Sequence, residues 1–115
     1  MVIIAFSTHT SKTVPNLLCR GFKHVALIMP DAHNKNRLIM HQFTRRGNVA
    51  HIPMQSRDLQ ILGANGWHFI YLAQNAYDTS RAKYAFTCVG YVKRRIGIHN
   101  IMVQTPNALY HYLKQ

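Results

Sequence analysis

The chain contains no glutamate and only three aspartates, against fourteen lysines and arginines. A histidine held by a fixed negative charge, the usual core of a catalytic triad, has little to draw on here. Cysteine is almost as scarce. Cys19 and Cys88 stand far apart, no cysteine framework surrounds them, and nothing in the pattern supports a disulfide. No C-x-x-C pair exists, which leaves a zinc ion only the dispersed set His24, His41 and Cys88. Long apolar runs are missing too. Val2 to Phe6 is too short to cross a membrane and lacks a basic leader and a small-residue cleavage site, so it reads as a core strand and not as a signal peptide or transmembrane segment. No internal repeat or low-complexity tract interrupts the chain. What is present, 115 residues of which 48% are apolar, fits one small globular domain spanning 1–115.

Cys88 is the most informative residue. The run from Ala85 to Gly97 predicts a helix that begins at the cysteine, with Thr87 as N-cap, Val89, Val92 and Ile96 at helical spacing, and Gly97 as the stop. A thiol in a helix's first turn feels the positive end of the macrodipole, which favours thiolate. The free N–H groups of that turn can also stabilise an oxyanion. A cysteine without such a setting is commonly just a small buried hydrophobe, so the case depends on a histidine within reach.

Phe22 to Met29 and Asn36 to Phe43 read as two strands joined by the polar link Pro30 to Lys35. A symmetric hairpin about that link sets His24 opposite His41, Ala26 opposite Ile39 and Ile28 opposite Arg37. Val25, Leu27, Leu38 and Met40 then fall on the other, core-facing side. Opposed residues have Cβ atoms about 4.5–5.5 Å apart, so two imidazoles there can interact. Gln42, the other polar residue in reach, falls opposite Lys23 on the wrong face unless a bulge intervenes. Cys88, His24 and His41 are therefore the expected catalytic set: nucleophile, proton carrier and orienting group.

Elsewhere the pattern predicts a short helix over Val14 to Arg20, a strand over Asn48 to Met54, a helix over Arg57 to Ala64, a strand over Gly66 to Ala73, and a last helix capped by Thr105 with Pro106 in first position. Cys19 falls on the first of these helices among Leu17, Leu18 and Phe22 and reads as core. Gln74 to Tyr84 carries no clear pattern. The sum is an α+β domain, an antiparallel sheet packed by helices.

The formal charge of +11 is the second strong signal. Such a field attracts polyanions, whether nucleic acid, anionic lipid head groups or acidic wall polymers. The basic residues are dispersed and lack the aromatic interleaving of a single-strand-binding motif. Lys93, Arg94 and Arg95 read first as a solvated helix face.

The order of these pieces resembles the circularly permuted papain-like superfamily, which includes permuted NlpC-type hydrolases and lecithin:retinol acyltransferase-like proteins. The residues that carry the resemblance are His24-Val25-Ala26-Leu27-Ile28, then Leu38-Ile39-Met40-His41, then Cys88 opening a late helix. The tail is similar to small bacteriophage and bacterial members through Thr87-Cys88-Val89, Val92-Lys93-Arg94, Gly97-Ile98 and Thr105-Pro106-Asn107-Ala108-Leu109-Tyr110. Many relatives carry glutamate where this chain has His41. The resemblance implies a permuted papain-like fold, with the nucleophile helix after the strands. It also implies a thiol hydrolase or acyltransferase acting on amide or ester bonds of a cell-wall peptide or a lipid, without metal or organic cofactor. With no signal peptide in the pattern, the expected location is the cytoplasm of the producing cell, or a virion if the chain is phage-encoded. The alternative from another class is a non-catalytic basic protein that uses the same scaffold to contact nucleic acid or another polyanion.

Overall fold

A computed structural model of the chain describes residues 1–7, 24–34, 36–44, 48–76 and 87–114. The helix expected over Val14 to Arg20, and Cys19 with it, lies outside the described residues. Among those described, five strands and three helices follow in the order β1 (Val2–Ser7), β2 (His24–Pro30), β3 (Leu38–Phe43), β4 (Val49–Met54), α1 (Ser56–Ala64), β5 (His68–Leu72), α2 (Cys88–Ile96) and α3 (Pro106–Lys114). The strands form one antiparallel sheet in the order β4-β3-β2-β1-β5. The α+β expectation holds at this level, and each described element expected from the sequence is present.

β1 lies between β2 and β5 and is buried along its whole length because both of its faces are covered. Val2, Ile4 and Phe6 join Val25, Leu27 and Ile70 beneath α2 and α3, where Val89, Tyr91, Val92, Ile96 and Leu109 complete a large core. Ile3, Ala5, Ala26, Ile28, Met40 and Met54 point the other way, toward Leu59 and Leu62 of α1 and toward Trp67 and Phe69. Alternation along each strand thus divides the molecule into an α2/α3 face and an α1 face.

The hairpin register differs from the symmetric one by three residues. Leu27 pairs with His41, Met29 with Ile39, and Pro30 with Leu38. β2 runs on through Pro30, whose missing N–H matters little at a strand end, and the loop is correspondingly displaced toward β3. Asp31 Oδ1 accepts from the His33 N–H at 2.9 Å, and Asn34 Oδ1 from the Asn36 N–H at 3.0 Å. These side-chain turns, with the Asp31 N–H donating to the Arg37 carbonyl, hold Asn36 and Arg37 in the loop. A shift by an odd number of residues carries a strand's side chains to the opposite face.

Candidate functional site

Cys88 is the first residue of α2, as its sequence context predicts. Thr87 is extended and its Oγ1 accepts from the Gly90 N–H at 2.9 Å; Gly97 ends the helix in the left-handed region at φ 79°. Cys88 is half-buried and packs against the α2/α3 core.

The direction of α2 follows from its contacts. Tyr91 stacks on Phe43, at the end of β3 beside the start of β2, with ring centroids 6.1 Å apart. One turn later Arg95 reaches Met29 Sδ, at the far end of β2, at 3.8 Å. The helix therefore runs along β2 in the same sense, and its N-terminus with Cys88 comes to the end of the sheet where His24 stands.

His24 pairs with Ser7 of β1 and shares the face of Ala26 and Ile28, so its side chain belongs to the α1 face. Its ring lies edge-on to Trp67, with centroids 6.3 Å apart. Nε2 is buried without a hydrogen-bond partner among the described residues. Burial lowers the pKa of this imidazole and keeps it neutral at pH 7.

His41 is not beside His24. Its pairing with Leu27 puts it on the α2/α3 face, so the expected Cys88-His24-His41 set is not assembled, and His24 and His41 cannot share a zinc ion. His41 instead stands directly across from His51, with rings 4.7 Å apart, and it is almost fully buried. Burial first, then the Arg95 guanidinium, then His51 lower its pKa to about 4. Arg95, buried itself, donates to the Tyr91 hydroxyl at 2.6 Å; it is core and not the solvated surface its sequence context suggests. Gln42, next in sequence, shares the face of Met40 and of His24. No group of three potential metal ligands exists among the described residues.

The sheet forks at this end. The β2–β3 ladder stops at Leu27 with His41, while β2 continues along β1 to His24 and β3 continues along β4 to Phe43. His24 stands on the β2 arm. On the other arm Thr44 holds a buried oxygen, Oγ1, without a hydrogen-bond partner among the described residues. Cys88 and His24 lie toward the same end of the sheet but on opposite faces of it.

One residue escaped the sequence reading. His68 opens β5 opposite Phe6 and near Tyr110, on Cys88's own face. Its alternation with Trp67 and Phe69 is visible in the sequence, but its position relative to the cysteine helix needs the strand order. No helix among the described residues is long and apolar enough to cross a membrane. No family model, curated protein or solved structure matches this chain.

Proposed function

We propose that the protein is a thiol-dependent acyl-transfer enzyme, a hydrolase or acyltransferase of the permuted papain-like kind. Cys88 acts as nucleophile and His24 as its proton acceptor. The observation that carries this reading is the helix-start position of Cys88, capped by Thr87 through the Gly90 N–H, which favours thiolate; the role of His24 rests on the resemblance. The Cys88 thiol would give its proton to His24 Nε2, and the resulting thiolate would add to an ester or amide carbonyl. The N–H groups of the first α2 turn would receive the oxyanion. Collapse of the adduct expels the alcohol or amine, protonated by His24, and leaves a thioester on Cys88 that water or another acceptor resolves. Gln42, on His24's face, takes the orienting role that His41 cannot fill.

Two measurements test this reading. Cys88 should alkylate with iodoacetamide faster than Cys19 from about pH 5 to 9, since free thiols ionise only near 8.5. An activated ester should leave an acyl group on the Cys88 peptide, visible by mass spectrometry and lost in His24→Ala. Equal alkylation of the two cysteines without acylation overturns the proposal. Loss of acylation in His68→Ala, with His24→Ala still active, would move the base to β5.

A second reading has the charge of +11 in its favour: a polyanion-binding protein on the same scaffold. Its signature is nucleic-acid binding that weakens steeply with salt and is unchanged in Cys88→Ser.

A further inference from the structure

We infer that the cleft between α1 and the β3–β4 pair binds an organic cation, an ammonium group carried on an apolar body. Asp58 holds the ammonium and the body lies along the apolar walls. The inference is independent of the acyl-transfer reading.

The cleft is about 380 Å³, within the usual range for a small-molecule site. Met40, Ile52, Ile61, Leu62 and Trp67 supply apolar wall. The helix that roofs it has no buried residue, and Ile61 and Ile52 are 56% and 42% exposed. Large aliphatic side chains facing an open groove favour an apolar occupant. Trp67 adds a second preference, since an indole face is the best aromatic partner for a cation.

Asp58 decides the occupant's charge. Among the described residues it is the one charged group in the lining, and Gln42, the other polar one, is neutral. Asp58 is half-buried in the first turn of α1, where its Oδ2 accepts from the Gln55 N–H at 2.8 Å in the capping box. The carboxylate has no other partner among the described residues, in a chain that holds fourteen lysines and arginines. Two carboxylate oxygens can accept about four hydrogen bonds, so most of that capacity is unused. An apolar body laid over Asp58 strips water from a charge with a single bond, which is costly. A neutral occupant leaves that cost standing, and an anionic one adds repulsion. An ammonium removes it through charge-assisted hydrogen bonds. The net charge of +11 acts from further away and is largely screened beyond about 8 Å at physiological salt, whereas the carboxylate meets the ligand directly.

A peptide strand fits less well. β4 is the outermost strand on this side, and Pro53 within it lacks the N–H that an added strand would need.

Trp67 is the only tryptophan in the chain and lines the cleft, so its fluorescence reports occupancy. Octyltrimethylammonium chloride, titrated into the full-length protein below micelle formation, should change that fluorescence saturably. Octanol and octyl sulfate carry the same chain on a neutral and an anionic head, and should bind ~10-fold more weakly or worse. Asp58→Asn should lower the ratio of cation to octanol affinity ~10-fold, toward unity. Because Asp58 also caps α1, Ile61→Lys gives a second test that leaves the cap in place. Position 61 is three residues further along the same helix face, so the new ammonium can pair with the carboxylate from within the chain. The cation-to-octanol ratio should fall there too, a change that mere loss of an apolar wall does not produce. Circular dichroism checks that both variants fold. Equal affinity for the three amphiphiles, an unchanged ratio in either folded variant, or no saturable response to the cation overturns the inference.

Discussion

The two faces of the sheet are built to different standards. On the α2/α3 side, Val89, Tyr91, Val92, Ile96 and Leu109 are all buried, and even a guanidinium, Arg95, is drawn inside. On the α1 side the helix buries no residue completely and leaves a cleft over Met40 and Met54. One sheet thus carries a close-packed face that fixes the position of Cys88 and a looser face with room for a ligand. Close packing and an open cleft make opposite demands on side chains, and here each is found on its own face.

The sharpest way to break this comparison is to delete core methyls from each face. Leu109→Ala should cost about 2–5 kcal/mol, the range for a fully buried leucine with partial collapse around the gap. Leu59→Ala on the half-buried face of α1 should cost about 1 kcal/mol, because little of the side chain is withdrawn from water. Urea unfolding of the two variants measures the difference. Equal losses would show that the α1 face is packed as tightly as its counterpart.

The next effect belongs to His41. Its folded pKa is about 4, against 6.5 in the unfolded chain. Between those values the unfolded state binds a proton that the folded state refuses, so stability falls as pH drops from about 6.5 to 4 and levels off below. The full shift corresponds to about 3 kcal/mol, and roughly 2 kcal/mol is the expected loss, since the neighbouring His51 is exposed and water screens the pair. With three aspartates and no glutamate, few carboxylates titrate in the same window. His41→Gln should flatten this acid limb in unfolding curves taken across the range. An unchanged limb would mean that the α2/α3 face tolerates a charge at this position.

Thr87 links the close-packed face to the proposed chemistry. Its Oγ1 caps α2 at Gly90, and Thr87→Ala should cost about 1 kcal/mol while Thr87→Ser restores it. The same substitution should slow alkylation of Cys88 near neutral pH, because a frayed first turn no longer presents its dipole and N–H groups to the sulfur. Stability loss with unchanged alkylation would separate the cap from the cysteine's reactivity.

How far the sequence carried can be read from particular residues. The helix at Cys88 was legible down to its cap and stop because each signal, Thr87, the Val-x-x-Val spacing and Gly97, is local. The strands were legible from alternation and β-branched runs for the same reason. The register of the β2–β3 hairpin was not. It depends on where the strands end, and that was decided by Asp31 and Asn34 turning the backbone with their side chains and by β2 continuing into Pro30. Pro30 looked like the start of the link and proved to be the last paired residue. A three-residue shift then moved His41 to the wrong face and brought Gln42 to the right one. The burial of Arg95 was hidden for a related reason: nothing local in Lys93-Arg94-Arg95 distinguishes the one arginine that faces β2. His68 needed the order of strands in the sheet, which no short pattern encodes.

The smallest effect should run the other way, toward greater stability. Gly63 lies in the last turn of α1, and a methyl added there would meet Phe69 Cε2 at 3.8 Å, an ordinary van der Waals distance with nothing closer. In a close-packed core an added methyl forces neighbours off their rotamers. On the α1 face it should fit as it stands. Alanine also favours helix over glycine and removes conformational freedom from the unfolded chain, so Gly63→Ala should raise unfolding free energy by about 0.5–1 kcal/mol. The substitution leaves the cleft-lining residues Met40, Ile52, Ile61 and Trp67 untouched. If stability instead falls by a similar amount, α1 is already seated as closely on Phe69 as packing allows, and the contrast between the two faces narrows to the cleft itself.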